Sequence, residues 1–442
     1  MSNENNIYPI PTGRFKRFLG LSKTTLNIAG NIALKASKNY ISKKNVDFKD
    51  LLLTKENFSK FVNQLSIMRG AALKVGQLMS LETGDFLPKE VNEILSTCRN
   101  QAYAMPKKQL IQVLKSEWGD DFETKFSVFQ YMPVAAASIG QVHKVQLKET
   151  SETLAVKIQY PGIRDSIDND IDNLGLLLEN TKLLPPSIDI KNLLDIASYQ
   201  LNREACYITE IKYLEKFYNH FLNDHIFEVP KPIKKLSTNN IICMEFKSGV
   251  TIDKISSMSQ KEKENIFYNL VELLFSEIFE LRCMQTDPNY ANFLYNVDRQ
   301  KIVLLDFGSC VDINHKKREI FSKLLSAIVN KDRELSKNIL FKLKVIDDIL
   351  PNNIKNEILE NFYEISEELI SESGFDFKKT NIIDRMNGLS EDILKLKKPI
   401  GLPDSEILLI QRKISGLFFL ARKLEIKLKI NNIVLKYCEL KE

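Results

Sequence analysis

The sequence predicts an α+β fold with two lobes, a small lobe rich in strands followed by a larger helical lobe. Two observations support this. Short segments with strand-like alternation lie between residues 126 and 165, and helical periodicity dominates from residue 260 to the C-terminus. A third stretch, residues 1–125, also has helical periodicity and predicts a helical extension before the small lobe. We therefore expect domains at 1–125, 126–248 and 249–442.

In the small lobe, the segment Leu154–Gln159 alternates so that Leu154, Val156 and Ile158 share one face and Lys157 lies on the other. The polar stretch 148–153 before it predicts a hairpin turn to a preceding strand. Helices are predicted over 164–222, and a further strand pair over 229–233 and 240–246. The last lobe is predicted to be helical, with stacked amphipathic helices over 313–440 and a single hairpin at 294–306.

Composition restricts the class of protein. The chain has 442 residues, of which 44% are hydrophobic and 27% charged, as in soluble globular proteins. No run approaches the roughly 18 uninterrupted apolar residues of a membrane span. The six cysteines form no C-x-x-C pair and are interpreted as reduced thiols. A net charge of +5 is too small to indicate a nucleic-acid partner.

The first 44 residues form a basic amphipathic arm, with eight Lys or Arg side chains against Glu4 alone. Such a segment can rest on an anionic membrane surface, at about 1 kcal/mol for each basic side chain near the lipid. A solvated helical arm packed on its own domain fits the same pattern. A cleaved organelle-targeting peptide is a third interpretation, disfavoured by Glu4 and by the scarcity of Arg.

The main chemical signal is the spacing of three polar residues. Asp287 is followed five positions later by Asn292, and Asp306 follows an apolar strand and begins the motif Asp-Phe-Gly. This spacing is typical of a protein-kinase-like site, where Asp287 accepts a hydroxyl proton or orients a water. Asn292 and Asp306 are the predicted ligands of Mg²⁺, which prefers oxygen donors. Gln285-Thr286 replaces the usual His-Arg, so the chain is not an ordinary protein kinase.

Lys157 lies in Ala-Val-Lys on a predicted strand, where a kinase-like fold places the lysine that contacts nucleotide phosphates. Such a strand alone is most often structural. Its order along the chain with Asp287, Asn292 and Asp306 favours the functional interpretation.

Four segments resemble the UbiB/aarF family of atypical kinases, a set linked to ubiquinone biosynthesis. They are the K-x-G-Q segment 69–77, the alanine-rich segment 133–143, the helix segment 204–210, and 285–292. The resemblance runs from about residue 60 to 310. It implies a bilobal protein-kinase-like α+β fold with an N-terminal helical extension and a helical C-lobe, which binds ATP or ADP with Mg²⁺ between the lobes.

The resemblance also implies residue roles. Lys157 pairs with Glu210 and the phosphates, while Lys74 reaches into the site and pairs with Glu204. The alanine-rich loop restrains the nucleotide, since alanine disfavours the positive φ that glycine allows. The loop residues expected at the nucleotide are Ala135, Ala136, Ala137, Ser138 and Gly140. The residues expected beside the adenine are Met244, Glu245 and Phe246. Cys206 replaces an Asp of the family pattern and is either a packed or a reactive cysteine.

These observations predict a magnesium-dependent atypical kinase or ATPase that supports the biosynthesis of ubiquinone, an isoprenoid quinone lipid. The expected location is cytoplasmic and peripheral on the inner membrane. The expected partners are nucleotide, anionic membrane lipids, isoprenoid lipid precursors and other quinone-biosynthesis enzymes, with no nucleic acid. A nucleotide-switched pseudokinase scaffold and a lipid or small-molecule kinase are the alternatives.

Overall fold

The computed structural model describes residues 70, 71, 74, 75, 104–181, 184, 186–380, 382–396, 398–401 and 403–438. The predicted basic arm, most of the helical extension and Cys98 lie outside the described residues. Residues 70, 71, 74 and 75 of the K-x-G-Q segment are helical.

The chain divides into two compact units. Unit 1 comprises Met1–Pro185, Ile190–Ile208 and Ile233–Phe246, and unit 2 comprises Pro186–Asp189, Thr209–Pro232 and Lys247–Glu442. Each unit is therefore assembled from three separate segments of the chain, whereas each predicted domain is one continuous segment. The predicted boundaries at 125 and 248 stay a prediction.

Unit 1 is built on a five-stranded antiparallel sheet in the order β1-β3-β4-β6, with β2 paired to β3. Its strands are β1 (Phe126–Phe129), β2 (Ala135–Ala136), β3 (Gly140–Leu147), β4 (Thr153–Gln159) and β6 (Ile241–Glu245). Its helices are α1 (Lys107–Trp118), α2 (Ile167–Thr181), α3 (Ile190–Glu204) and the first residues of α4 (Tyr207–His220).

The predicted hairpin and helices of unit 1 are confirmed. The amide of Leu147 donates to the carbonyl of Glu152 at 2.9 Å, which closes the turn between β3 and β4. Strand β4 pairs with β3 on one edge and β6 on the other, and because residues 154–159 are all buried, both its faces are covered as well. Helices α2, α3 and α4 fall within the predicted helical range.

The predicted strand pair at 229–233 and 240–246 is wrong in its first member. The strand there is β5 (Phe227–Glu228), and it pairs in parallel with β10 (Lys301–Leu304) inside unit 2. Pro230 and Pro232 follow β5, and a proline has no N–H to donate to a neighbouring strand. The amide of Ile233 still donates to the carbonyl of Cys243 in β6 at 2.8 Å, but the stretch does not form a regular strand there.

Unit 2 contains the rest of α4 and seven further helices among its described residues. These helices are α5 (Gln260–Phe279), α6 (His315–Val329), α7 (Arg333–Lys342), α8 (Asn352–Leu369), α9 (Ile382–Leu394), α10 (Ser405–Lys423) and α11 (Asn431–Cys438). A four-stranded sheet has the order β5-β10-β9-β7, where β7 is Val250–Thr251 and β9 is Phe293–Asn296. Helix α5 begins at a capping box, in which Ser259 and Glu262 satisfy each other's backbone amides.

The predicted hairpin at 294–306 is confirmed as β9 and β10, which pair antiparallel with Leu304 opposite Phe293. Two short antiparallel pairs were not predicted. They are β8 (Cys283–Gln285) with β11 (Cys310–Asp312), and β12 (Phe375–Asp376) with β13 (Lys427–Leu428). Segments of two or three residues are too short for an alternating pattern to identify.

The five cysteines in the described ranges are free thiols, as the sequence predicts. No helix among the residues that the structure describes is long and apolar enough to cross a bilayer.

Candidate active site

In unit 1, the strand order places Lys157 in the centre of the sheet. On β4 it lies between Val142 of β3 and Ile242 of β6. Only 7% of the residue is exposed, and its Nζ lies 5.4 Å from the centre of the Tyr207 ring. A buried ammonium over an aromatic face is stabilised by the ring's electrons. The pairing of Lys157 with Glu210, a residue of unit 2, stays a prediction.

Glu204 connects two of the segments that the sequence singled out. At the end of α3, its Oε1 accepts a hydrogen bond from Lys74 Nζ, and its Oε2 accepts one from Ser138 Oγ at 3.0 Å. The Lys74 side chain is 1% exposed and that of Glu204 11%. The K-x-G-Q lysine and the alanine-rich loop are therefore fixed to the same carboxylate. The catalytic roles of Lys74 and Glu204 stay predictions.

The alanine-rich loop is a tight hairpin. Ala135 and Ala136 form β2 and are exposed, and the amide of Ala137 donates to the carbonyl of Gly140 at 2.8 Å. None of the residues 135–140 has a positive φ. A Cβ at Gly140 would lie 2.5 Å from the carbonyl oxygen of Ile158, so glycine is required there by the packing of β3 on β4.

Of the three residues predicted beside the adenine, Met244 and Glu245 end β6 and Phe246 directly follows it. Met244 is buried opposite Ala155, and Glu245 lies opposite Leu154. Phe246 donates its amide to the carbonyl of Thr153 at 3.0 Å, and its ring lies 4.5 Å from Lys144 Nζ. The hydrogen bonding between β4 and β6 therefore continues one residue past β6, to Phe246, the last residue of unit 1.

In unit 2, backbone hydrogen bonds bring together the segments that carry Asp287, Asn292 and Asp306. The amide of Leu305 donates to the carbonyl of Asn292 at 3.0 Å, immediately before Asp306. The hydroxyl of Thr286, immediately before Asp287, donates to the carbonyl of Ser309 at 2.6 Å. Thr286 is fully buried, so this second contact is shielded from water.

The Asp-Phe-Gly turn has a defined conformation. Asp306 Oδ1 accepts the amide of Gly308 at 2.9 Å, and Phe307 is 1% exposed with its ring 4.8 Å from that of Phe217 on α4. A Cβ at Gly308 would lie 3.1 Å from Oε2 of Glu210, which lies two turns before Phe217 on the same helix, α4. Glu210 therefore lies beside the Asp-Phe-Gly turn, where the structure buries it to 3% exposure.

The donor set fits magnesium. Asp306 and Asn292 offer a carboxylate and an amide oxygen, the hard donors that Mg²⁺ prefers. No group of three or more His, Cys, Asp or Glu suited to a metal ion occurs within the described part of the chain. Mg²⁺ commonly takes only one or two protein carboxylates and completes its shell with water and phosphate oxygens, so a small set is sufficient.

The structure also shows how Gln285 and Thr286, which stand in place of the usual His-Arg, are held before Asp287. Gln285 is 4% exposed, and its Nε2 donates to the backbone carbonyl of Asp287 at 3.0 Å. Two residues of α10 were missed in the sequence analysis. Arg412 lies beside Asp287, and Lys413 pairs with Glu277, the acceptor of the Gln285 amide. No local pattern marks them, because α10 lies far from residues 285–292 along the chain.

Comparison with known proteins identifies the family. The model of the ABC1 atypical kinase-like domain matches residues 97–340. The mitochondrial atypical kinase COQ8 of Saccharomyces cerevisiae is 35% identical over 94% of this chain and 83% of its own length. The mitochondrial atypical kinase COQ8B of Danio rerio is 33% identical over 87% of this chain and 61% of its own length.

A solved structure supports the fold. A Mycobacterium tuberculosis protein, determined in complex with erythromycin, matches with a TM-score of 0.57 at 22% identity over 87% of this chain and 98% of the other. The fold is therefore the kinase-like α+β fold that the sequence predicted. The chain belongs to the ABC1 family of atypical kinase-like proteins, which includes the COQ8 kinases and the UbiB group.

Proposed function

We propose that this protein is an atypical ATP-binding kinase or ATPase that supports ubiquinone biosynthesis at a membrane surface. One observation carries the proposal. Unit 2 holds Asp287, Asn292 and Asp306 on two segments that are hydrogen-bonded to each other through Leu305 and Thr286. Phosphoryl transfer depends mainly on positioned groups and on charge stabilisation, and this arrangement supplies the positions.

Each residue of the candidate site would have a separate role. Asp287 would accept a proton from a hydroxyl or orient a water, depending on the acceptor. Asn292 and Asp306 would hold Mg²⁺, which neutralises phosphate charge when it is bound. Lys157 would contact the phosphates as a point charge. Met244, Glu245 and Phe246 would lie beside the adenine.

The alanine-rich loop would limit how the nucleotide is held. Ser138 is tied to Glu204, which is also paired with the buried Lys74. A loop anchored in this way has less freedom to follow the phosphates than a glycine loop has. This supports slow hydrolysis or transfer to a small acceptor over phosphorylation of proteins.

The metabolic role rests on kinship with the COQ8 atypical kinases and on the motifs shared with the ubiquinone-linked family. The basic arm of residues 1–44 would hold the protein on anionic lipid, where isoprenoid precursors and other quinone-biosynthesis enzymes are found. This location would bring the site close to hydrophobic acceptors.

The test is ATP hydrolysis by the purified chain with Mg²⁺, with and without cardiolipin-containing liposomes. Asp287→Asn is the inactive reference, and Asp298→Asn, an exposed aspartate in the β9–β10 turn, is the matched control. The proposal expects hydrolysis that rises with liposomes, is lost in Asp287→Asn and persists in Asp298→Asn. Deleting residues 1–40 should lower the liposome effect.

Two other outcomes would redirect the assignment. Tight nucleotide binding without turnover in either condition would contradict an enzyme and favour a nucleotide-switched scaffold. Transfer of labelled phosphate from ATP to a component of a lipid extract, with little release of free phosphate, would identify a lipid kinase.

A further inference from the structure

Helix α10 contacts the segment that carries Asp287 from three neighbouring positions, one of them through Glu277, all within unit 2. The contacts are Arg412 with Asp287, Lys413 with Glu277 and through it with Gln285, and Gly416 with Pro288 and Tyr290. Since residues 412, 413 and 416 occupy adjacent turns, one face of α10 lies along the whole segment.

Arg412 brings a cation to the catalytic aspartate. Its Nη2 lies 3.9 Å from Asp287 Oδ1, and the two side chains are 2% and 15% exposed. This separation exceeds a hydrogen bond, so the contact is an interaction between charges. It is stronger here than on the surface, because the guanidinium is almost fully removed from water.

The contact also orients the carboxylate. Asp287 Oδ1 faces Arg412 and accepts the amide of Asn289 at 3.3 Å. Within the described ranges, both of these contacts go to the same oxygen. The second oxygen, Oδ2, is thereby left as the atom that receives a proton or holds a water.

The neighbouring Lys413 secures the start of the same segment. It forms an ion pair with Glu277 of α5, in which both side chains are almost fully buried. Glu277 Oε1 accepts the amide of Gln285 at 3.3 Å. Burial raises the pKa of Glu277, and the charge of Lys413 opposes that rise.

Gly416 secures the other end. A Cβ at Gly416 would lie 2.4 Å from Cβ of Pro288, so only glycine allows the helix to approach this closely. Tyr290 donates its hydroxyl to the carbonyl of Gly416 at 3.3 Å. The segment from Gln285 to Tyr290 is thus held at three places by α10.

We propose that Arg412 is a positioning residue for Asp287 and supplies the cation that is absent from Gln285-Thr286. The inference rests on the proposed function, because it assigns Arg412 a role in turnover by the same site. Arg412 lies beyond residue 340, where the match to the family domain ends. Helix α10 is then a functional part of the active site and not only a C-terminal support.

Turnover and binding of MgATP should respond differently. Arg412→Met keeps an unbranched apolar stem and removes the charge, so kcat should fall by about 10-fold to 100-fold while the Kd of MgATP changes by less than about twofold. Arg412→Lys should recover part of kcat, because it keeps a cation but lacks the guanidinium fork. Arg422→Met, an exposed cation on the last turn of α10, is the matched control and should resemble wild type.

Each outcome decides a separate question. Loss of kcat in Asp287→Asn with full kcat in Arg412→Met would overturn the inference while leaving the proposed function intact.

Absence of turnover in wild type would contradict the proposed function. In that case the inference is tested by unfolding in denaturant, using a cycle of Arg412→Met, Asp287→Asn and the double variant. Non-additive effects on the free energy of unfolding are expected, and additive effects would overturn it.

Discussion

Lys74 and Glu204 form an ion pair in unit 1 that is almost completely removed from solvent. The pair matters because Glu204 also accepts the hydroxyl of Ser138 in the alanine-rich loop. A change at either charge should therefore affect both the stability of unit 1 and the freedom of that loop.

Lys74→Met should destabilise the protein by about 3 kcal/mol, because Glu204 would remain buried without its cation. Lys74→Met combined with Glu204→Gln should recover most of this loss, since no unpaired charge remains. Denaturant unfolding of the two variants measures the difference. Equal stability of the single and double variants would show that the pair is not coupled.

Asp306→Asn should weaken MgATP binding by more than about 100-fold, because it removes a carboxylate ligand of the metal. ATP binding without Mg²⁺ should change little. Calorimetric titration with and without Mg²⁺ measures both. Asp298→Asn serves as the control, and an Asp306→Asn protein that still shows a full magnesium effect would rule out the assigned ligand.

Gly416→Ala should lower both kcat and stability. The added methyl group would lie 2.4 Å from Cβ of Pro288, so the segment carrying Asp287 must shift. Overpacking of this kind costs about 1 to 3 kcal/mol. Gly388→Ala, in α9, meets no atom within 4 Å and should instead be stabilising by about 0.5 to 1 kcal/mol. Identical behaviour of the two variants would mean that the close approach of α10 has no effect.

Ala136→Gly should change the affinity for nucleotide by about threefold or more, or allow autophosphorylation, since glycine opens the positive-φ region to the loop. Ala136 is exposed on β2, so its replacement leaves no cavity in the core. Ser151→Gly, in the exposed β3–β4 turn at φ 58°, is the control for added flexibility. An Ala136→Gly protein indistinguishable from wild type in both assays would remove the restraining role.

Acidification should destabilise unit 1 through His143. This residue is fully buried. Its Nδ1 is hydrogen-bonded to the backbone carbonyl of Gln130 and its Nε2 to the side-chain amide nitrogen of Gln141, each at 2.8 Å. Burial lowers the pKa of His143 from its usual 6.5. The unfolded chain therefore binds the proton first, so stability is complete above about pH 6.5 and is lost as the pH falls below it.

Unfolding at pH 7.5 and pH 5.5 tests this effect. The loss of stability on acidification should be smaller in His143→Gln than in wild type, whereas His225→Gln, at an exposed position, should match wild type. An unchanged loss in His143→Gln would assign the pH dependence to other groups.

The sequence predicted the parts of the site that depend on local order. Asn292 comes directly before β9 and Asp306 shortly after β10, so the hairpin accounts for their approach, and Asp287 precedes Asn292 by only five residues. The alternating pattern of residues 154–159 also predicted the strand that carries Lys157. The Lys74–Glu204 contact came from resemblance to a family, because no local pattern links residues so far apart.

The remaining features arise from long-range packing. Strand β5 pairs in parallel with β10, and its two residues carry no periodicity that would reveal it. Arg412 looks like any other cation of a basic amphipathic helix until the fold buries it beside Asp287. The close approach of Gly140 to Ile158 requires glycine by itself, and the predicted contact of Gly140 with nucleotide stays a prediction.

The most direct test of the central claim is a single-turnover measurement of phosphate release from radiolabelled MgATP, comparing wild type with Asp287→Asn at matched nucleotide occupancy. The account predicts release in wild type and a loss of at least about 100-fold in Asp287→Asn, with similar binding of nucleotide in both. Equal release by the two proteins, or none by either while nucleotide remains bound, would contradict it.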